Sequence, residues 1–257
     1  MTMKRQLLIS ALLIVCTIVP LLAMPGNYES RSIRAERFFK YKEWSSALAM
    51  YHMLLSERPN EVEPYYKAIV ASAMIGDSIT QMDMLEQTQQ RGISLDSLFN
   101  GVRSVSFAIG EAKAYNEFLQ LVKYRQPWLE RKINIYLLDY YSFSNDTKHT
   151  IETAKALLAQ TPHSINYLKT LAEAYIAVGH FDKALECYKQ ILTIKNDDYD
   201  ALIALGNYYA LQLLSQHPQC DLNRNDLQAL SQTYLSEAYN MHPTPYVADL
   251  LDKIANQ

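Results

Sequence analysis

The sequence predicts an all-α protein built from pairs of antiparallel helices, and three observations favour this fold class. Glycine provides only 7 of the 257 residues, far below the roughly 7 % that is usual, so little material is available for hairpins or glycine-rich loops. Apolar residues make up 49 % of the chain and charged residues 20 %, a composition that supports a buried core. Apolar side chains recur at spacings of three and four residues, which is the period of amphipathic helices.

Residues 1–25 are predicted to lie outside the folded part of the chain. Lys4 and Arg5 precede an uncharged apolar run at residues 7–19, and the small residue Ala23 follows. A short basic segment, an apolar segment of this length and a small residue are typical of a secretory signal peptide. The sequence therefore predicts an exported protein, either periplasmic or secreted, with cleavage after Ala23.

Two alternatives to a cleaved signal stay open. Residues 7–23 would form an uncleaved membrane anchor, although seventeen residues is close to the shortest length that spans a bilayer. The segment Leu13-Ile14-Val15-Cys16 also resembles a bacterial lipoprotein box, with bulky Val15 where that motif prefers a small residue. In that case Cys16 would carry a lipid.

The clearest helix pair is predicted over residues 165–198. Gly179 stands where the first helix ends and a left-handed residue is favoured. Asp182 is expected to cap the second helix. Small residues at Ala172 and Ala184 would let the two helices approach closely. The apolar stripes are Leu168, Leu171, Ala172 and Tyr175 on the first helix, and Ala184, Leu185, Tyr188, Ile191 and Leu192 on the second.

This segment resembles the tetratricopeptide repeat, a 34-residue helix-turn-helix unit. Its signature small and aromatic positions are occupied by Ala172, Tyr175, Gly179, Phe181, Ala184 and Tyr188. The resemblance implies a right-handed superhelical solenoid over residues 28–257, with about five to six repeats and a C-terminal capping helix. The predicted ranges are 28–61, 62–95, 96–130, 131–164, 165–198 and 199–243, followed by the cap at 244–257.

Prolines support several of these boundaries, because helices stop before proline for steric reasons. Pro59, Pro127 and Pro162 lie close to the ends of predicted repeats. Pro243 arrives later than a 34-residue spacing requires, so residues 217–225 are expected to be an insertion.

Composition and motifs argue against several classes of function. The formal net charge is −3 and no long basic run is present, which argues against a nucleic-acid partner. No Cys-x-x-Cys, phosphate loop or Gly-x-Ser-x-Gly elbow occurs, so no metal, no cofactor and no catalytic residue is predicted. The acidic segment 196–200 is explained by helix capping. Cys187 and Cys220 either pair in an oxidising compartment or remain free thiols.

The resemblance implies a protein–protein interaction scaffold that is not an enzyme. In this family the first helix of each pair lines a concave groove, which receives an extended or helical peptide. Because apolar side chains outnumber charges here, the expected ligand is an envelope-associated peptide or protein with apolar anchors. The groove candidates are Tyr66, Val70, Met74, Asn100, Ser104, Phe107, Ile135, Asp139, Phe143, Lys169, Glu173, Ile176, Ile203, Asn207 and Leu211.

Two further expectations concern this groove. Some family members clamp a terminal carboxylate, and Lys169 and Asn207 stand at clamp-like positions, but Glu173 occupies a position where the clamp requires asparagine. The alternative to a scaffold is a self-associating structural solenoid whose groove is filled by its own N-terminal tail or by another subunit. Membrane contact is expected only through residues 7–23, if that segment is not cleaved.

Overall fold

The computed structural model describes residues 27–215 and 220–256. Within these ranges the chain forms thirteen α-helices and one short 3-10 helix, and no strand. The helices belong to two compact units that divide between Leu129 and Glu130. The predicted all-α class, with antiparallel helix pairs, is confirmed. The predicted signal or anchor at residues 1–25, including Cys16, lies outside the described residues.

Unit 1 consists of three helix pairs. They are α1 (Tyr28–Lys40), α2 (Trp44–Glu57), α3 (Val62–Met74), α4 (Ser78–Gln90), α5 (Leu95–Ala108) and α6 (Ala112–Arg125), followed by a 3-10 turn (Pro127–Leu129). The central helix is α3, which packs against α2, α4 and α5. Its core-facing residues Tyr65, Ala68 and Ile69 are fully buried. The third pair therefore docks on the second chiefly through its first helix.

Unit 2 consists of three helix pairs and a final helix. They are α7 (Glu130–Phe143), α8 (Thr147–Gln160), α9 (Ile165–Ala177), α10 (Phe181–Ile194), α11 (Tyr199–Leu214), α12 (Arg224–Met241) and α13 (Pro245–Ala255). Each helix packs against the next one along the chain. Ala172 and Ala184 are buried together with Tyr175 and Tyr188 in one core, which α13 extends through Val247. The small residues thus lie where the helices approach each other.

The tight turns within the first five helix pairs share one backbone feature. Each contains a residue with positive φ, and these residues recur every 34 or 35 positions: Lys42, Gly76, Gly110, Asn145 and Gly179. A left-handed residue reverses the chain in the shortest distance, and glycine adopts it without strain from a Cβ atom. Only Lys42 (φ 61°) and Asn145 (φ 56°) depart from glycine in this series. The repeat period is therefore expressed directly in the backbone.

The sixth pair departs from this pattern. Helix α11 continues through Leu213, one period after Gly179, and buries that side chain at 3 % exposure. The partner helix α12 then approaches so closely that a Cβ at Gly206 would lie 2.7 Å from Cγ of Leu235. Because α11 is longer than the other first helices, the second helix of this pair begins later in the sequence.

The structure corrects two boundaries. The insertion predicted at residues 217–225 ends too late, because α12 begins at Arg224. Asn223 caps it by accepting a hydrogen bond from the Asp226 backbone N–H at 2.9 Å. Residues 217–219 lie outside the described part. Asp182 does not cap α10, because that helix begins at Phe181 and His180 occupies the cap position. The Asp182 carboxylate therefore lies in the first turn of the helix.

The acidic segment 196–200 acts as expected. Asp198 caps α11, where its Oδ1 accepts a hydrogen bond from the Ala201 backbone N–H at 3.1 Å. No helix in the described ranges is long and apolar enough to cross a bilayer.

The left-handed turns lead to a test of stability. Lys42→Gly is expected to raise the free energy of unfolding by about 0.5–1 kcal/mol, because a side chain in this conformation costs about 1–2 kcal/mol, partly offset by the greater freedom of glycine in the unfolded chain. Lys40→Gly is the matched control and is expected to lower it by a similar amount, since Lys40 is helical. Urea denaturation measures both variants. An unchanged or lower stability of Lys42→Gly would contradict the role of the turn.

Candidate binding surface

The groove candidates of unit 1 do not form an apolar surface. Val70 was expected in the groove, but it is buried at 1 % exposure. Its position on α3 faces the helices that pack against α3. The ring of Tyr66 is half-buried against Gly101 of α5, where an added Cβ would lie 2.1 Å from Tyr66 Cδ1. Tyr66 therefore helps to join α3 to α5.

The remaining candidates of unit 1 are polar or partly covered. Asn100 and Ser104 are exposed on α5, and Met74 is half-buried at the end of α3. The ring of Phe107 is half-buried, with its centroid 6.5 Å from that of Tyr115 and 5.5 Å from the guanidinium carbon of Arg103. Unit 1 thus offers few free apolar side chains at the predicted positions.

Unit 2 exposes large apolar side chains at the predicted positions on its first helices. Ile135 and Phe143 on α7 are 41 % and 64 % exposed, Ile176 on α9 is 42 % exposed, and Leu211 on α11 is 63 % exposed. The other predicted positions on these helices carry exposed or half-buried side chains, most of which are polar or charged. We call this set the first-helix surface of unit 2, and it comprises Ile135, Asp139, Phe143, Lys169, Glu173, Ile176, Ile203, Asn207, Leu211 and Tyr246.

Lys169 joins α9 to the beginning of α11. Its Nζ lies 3.0 Å from Oδ1 of Asp198 and 2.7 Å from Oδ2 of Asp200. Burial lowers the pKa of this ammonium group, but the hydrogen bonds to the two carboxylates outweigh that effect, and the pKa is raised. The positive charge is therefore already neutralised, so Lys169 does not offer a free cation to a terminal carboxylate.

Tyr246 on α13 belongs to this surface, although it is not among the groove candidates that the sequence predicted. It is 59 % exposed, and its hydroxyl donates a hydrogen bond to Oδ1 of Asn207 at 3.1 Å. Its neighbour Val247 takes the buried position instead. Since successive helical residues are about 100° apart, a tyrosine one residue before a core position points to the side. That offset is the signal that would have identified Tyr246.

A polar pocket opens beside Phe143, between the α7–α8 turn and α9. Its polar lining residues are Ser142, Asn145, Thr147, Thr150, Thr170 and Glu173. Ala174 and Ala177 complete the α9 wall, where their small side chains leave space. The structure therefore brings Glu173 together with residues from a different helix pair, which no linear spacing in the sequence shows.

The two described cysteines are free thiols and form no disulfide. Cys187 is buried in the unit 2 core, and burial raises its pKa to about 11, so the thiol stays protonated at neutral pH. Cys220 is half-buried. In the described ranges no three histidine, cysteine, aspartate or glutamate side chains converge on a potential metal site.

The fold defines a protein built from repeated helix pairs. The family comparison gives the class: residues 165–208 match the family model described as Tetratricopeptide repeat. This range contains the pair α9–α10 and most of α11. Residues 165–208 therefore match a tetratricopeptide repeat, which supports the resemblance seen in the sequence.

One curated relative is distant in sequence. DnaJ homolog subfamily C member 3 from Rattus norvegicus is 23 % identical over 243 residues, which is 86 % of this chain and 48 % of the relative. This chain thus spans about half the length of that curated relative.

Two solved structures show a partial likeness to this chain. A protein from Bacteroides ovatus ATCC 8483 has a TM-score of 0.48 at 17 % identity, covering 76 % of this chain and 97 % of its own. The C-terminal part of a TPR repeat-containing protein from Cytophaga hutchinsonii has a TM-score of 0.47 at 14 % identity, covering 80 % and 77 %.

The position of Lys169 leads to a test of its role. Lys169→Met is expected to lower the free energy of unfolding by about 1–2 kcal/mol, because it leaves the buried carboxylate of Asp198 without its cation. Lys195→Met, which removes an exposed lysine, is the control and is expected to be neutral. Thermal denaturation measures both. Unchanged stability of Lys169→Met, with loss of peptide binding, would instead make Lys169 a ligand contact.

Proposed function

We propose that this protein is a non-catalytic scaffold that binds a peptide or protein segment on the first-helix surface of unit 2. The observation that carries the proposal is the exposure of Ile135, Phe143, Ile176 and Leu211 on the first helices of consecutive pairs. Large exposed apolar side chains favour an interaction site, because their burial by a partner removes them from water.

The composition of this surface favours a peptide ligand. Phe143 and Tyr246 offer large rigid rings that bury much area at little cost in conformational entropy. Asp139, Glu173 and Asn207 lie among the apolar groups and supply polar contacts. This mixture suits an amphipathic helix or an extended segment that carries two or three apolar anchors.

The compartment follows from the N-terminal sequence. The basic pair Lys4-Arg5, the apolar run 7–19 and Ala23 support export to the periplasm or secretion. We therefore expect the partner to be another exported or envelope-associated protein. If residues 7–23 are retained, the scaffold would act while attached to the membrane.

Peptide selection tests the binding function. A phage-displayed library of random dodecapeptides is panned on the purified chain, and affinities of selected peptides are measured by fluorescence anisotropy. Phe143→Asp and Leu211→Asp are each expected to weaken binding by roughly tenfold or more, since each places a charge in the apolar contact. Ile79→Asp is the matched control, because Ile79 is 76 % exposed on α4, a second helix. It is expected to bind like the unaltered chain.

Two results would contradict the scaffold. Selection of no peptide above background would remove the support for a peptide-binding surface. A dimer seen by light scattering, lost in Phe143→Asp and unable to bind any selected peptide, would assign the same surface to self-association. Unchanged melting temperatures of the variants show that the fold is intact in either case.

A further inference from the structure

The pocket beside Phe143 is lined by several hydrogen-bond acceptors. The Thr150 hydroxyl donates to the Asp146 backbone carbonyl at 2.9 Å, and the Thr170 hydroxyl donates to the Asn166 backbone carbonyl at 3.0 Å. The Thr147 hydroxyl makes a longer bond of 3.4 Å to the carbonyl of Asn145. Each of these threonine hydroxyls has one hydrogen, which it donates to a backbone carbonyl. Toward the pocket the hydroxyl oxygens therefore act as acceptors.

Glu173 adds a carboxylate to these acceptors. It is exposed and lines the pocket, and within the described ranges no cation forms an ion pair with it. Lys169, one helical turn earlier, would be the natural partner on the same helix. Its ammonium group is instead held by Asp198 and Asp200 at 3.0 and 2.7 Å. The carboxylate of Glu173 is therefore available to a ligand.

Two basic side chains at the start of α8 interact with Asp146, which does not line the pocket. His149 Nδ1 lies 2.7 Å from Oδ2 of Asp146, and Lys148 acts electrostatically on the same carboxylate. The pocket wall thus combines the Glu173 carboxylate with threonine hydroxyl acceptors, and the Ser142 hydroxyl and the Asn145 amide can accept as well as donate. The complementary ligand group is a cation that has donors and no acceptor, which describes a lysine ammonium or an arginine guanidinium.

We propose that this pocket accepts a lysine or arginine side chain of the bound peptide. The inference rests on the proposed function and specifies the ligand: a basic residue adjacent to an apolar one. Ser142 lines the pocket, and the next residue, Phe143, exposes 64 % of its surface. A peptide whose basic group enters the pocket would therefore place a neighbouring apolar side chain against Phe143.

A charge reversal at Glu173 tests this assignment. In the dodecapeptide selection, the unaltered chain is expected to enrich lysine or arginine next to an apolar residue. Glu173→Lys is expected to lose that preference, to enrich aspartate or glutamate instead, and to bind the original peptides at least tenfold more weakly. Glu152→Lys on α8 changes the net charge equally at another exposed glutamate, and it is expected to keep the basic preference.

The outcomes separate this inference from the proposed function. Selection of apolar peptides without a basic residue, or equal effects of Glu173→Lys and Glu152→Lys, would overturn the cation pocket and leave the scaffold supported. Selection of no peptide would overturn both. Calorimetry with spermidine alone tests whether the pocket binds a free amine instead of a peptide side chain. Saturable binding lost in Glu173→Gln, without a basic preference among peptides, would overturn the assignment to a peptide side chain.

Discussion

The structure depends on one constraint: a helix pair has apolar residues on more sides than its two helices can cover, so each pair needs a neighbour. In unit 2 this burial runs without interruption from α7 to α13, because each helix packs against the next. Short turns make the arrangement compact, and five of them use a left-handed residue at intervals of 34 or 35 positions. The final helix buries Val247 and Ile254, which covers the apolar side of the last pair.

Much of this architecture was readable in the sequence, for physical reasons that particular residues show. Gly179 marks a turn because only glycine adopts positive φ without strain, and Ala172 and Ala184 mark close helix contacts because they are small. The turns at Lys42 and Asn145 have the same backbone but lack the glycine signal. A residue other than glycine adopts positive φ at the cost of strain. At such turns the repeat period is therefore clearer in the backbone than in the sequence.

The binding surface was only partly predictable. Helical spacing places residues on a face, but rotation by one residue changes burial, which is why Val70 was wrongly expected in the groove and Tyr246 was missed. The state of a charge also depends on partners far away in sequence. Lys169 is paired with Asp198 and Asp200, whereas no cation in the described ranges forms an ion pair with Glu173. Such pairings are set by tertiary packing and leave no local signature.

Native-state hydrogen exchange of unit 2 tests the central claim most directly, because stacked pairs that stabilise only their neighbours open from the ends. Amide protection is measured by mass spectrometry at low denaturant, helix by helix. Amides of α9, α10 and α11 are expected to exchange through openings of higher free energy than those of α13, because the packed neighbours of α13, which are α11 and α12, both precede it in the chain. A single opening free energy shared by α9 and α13, or greater protection of α13, would contradict nearest-neighbour stacking.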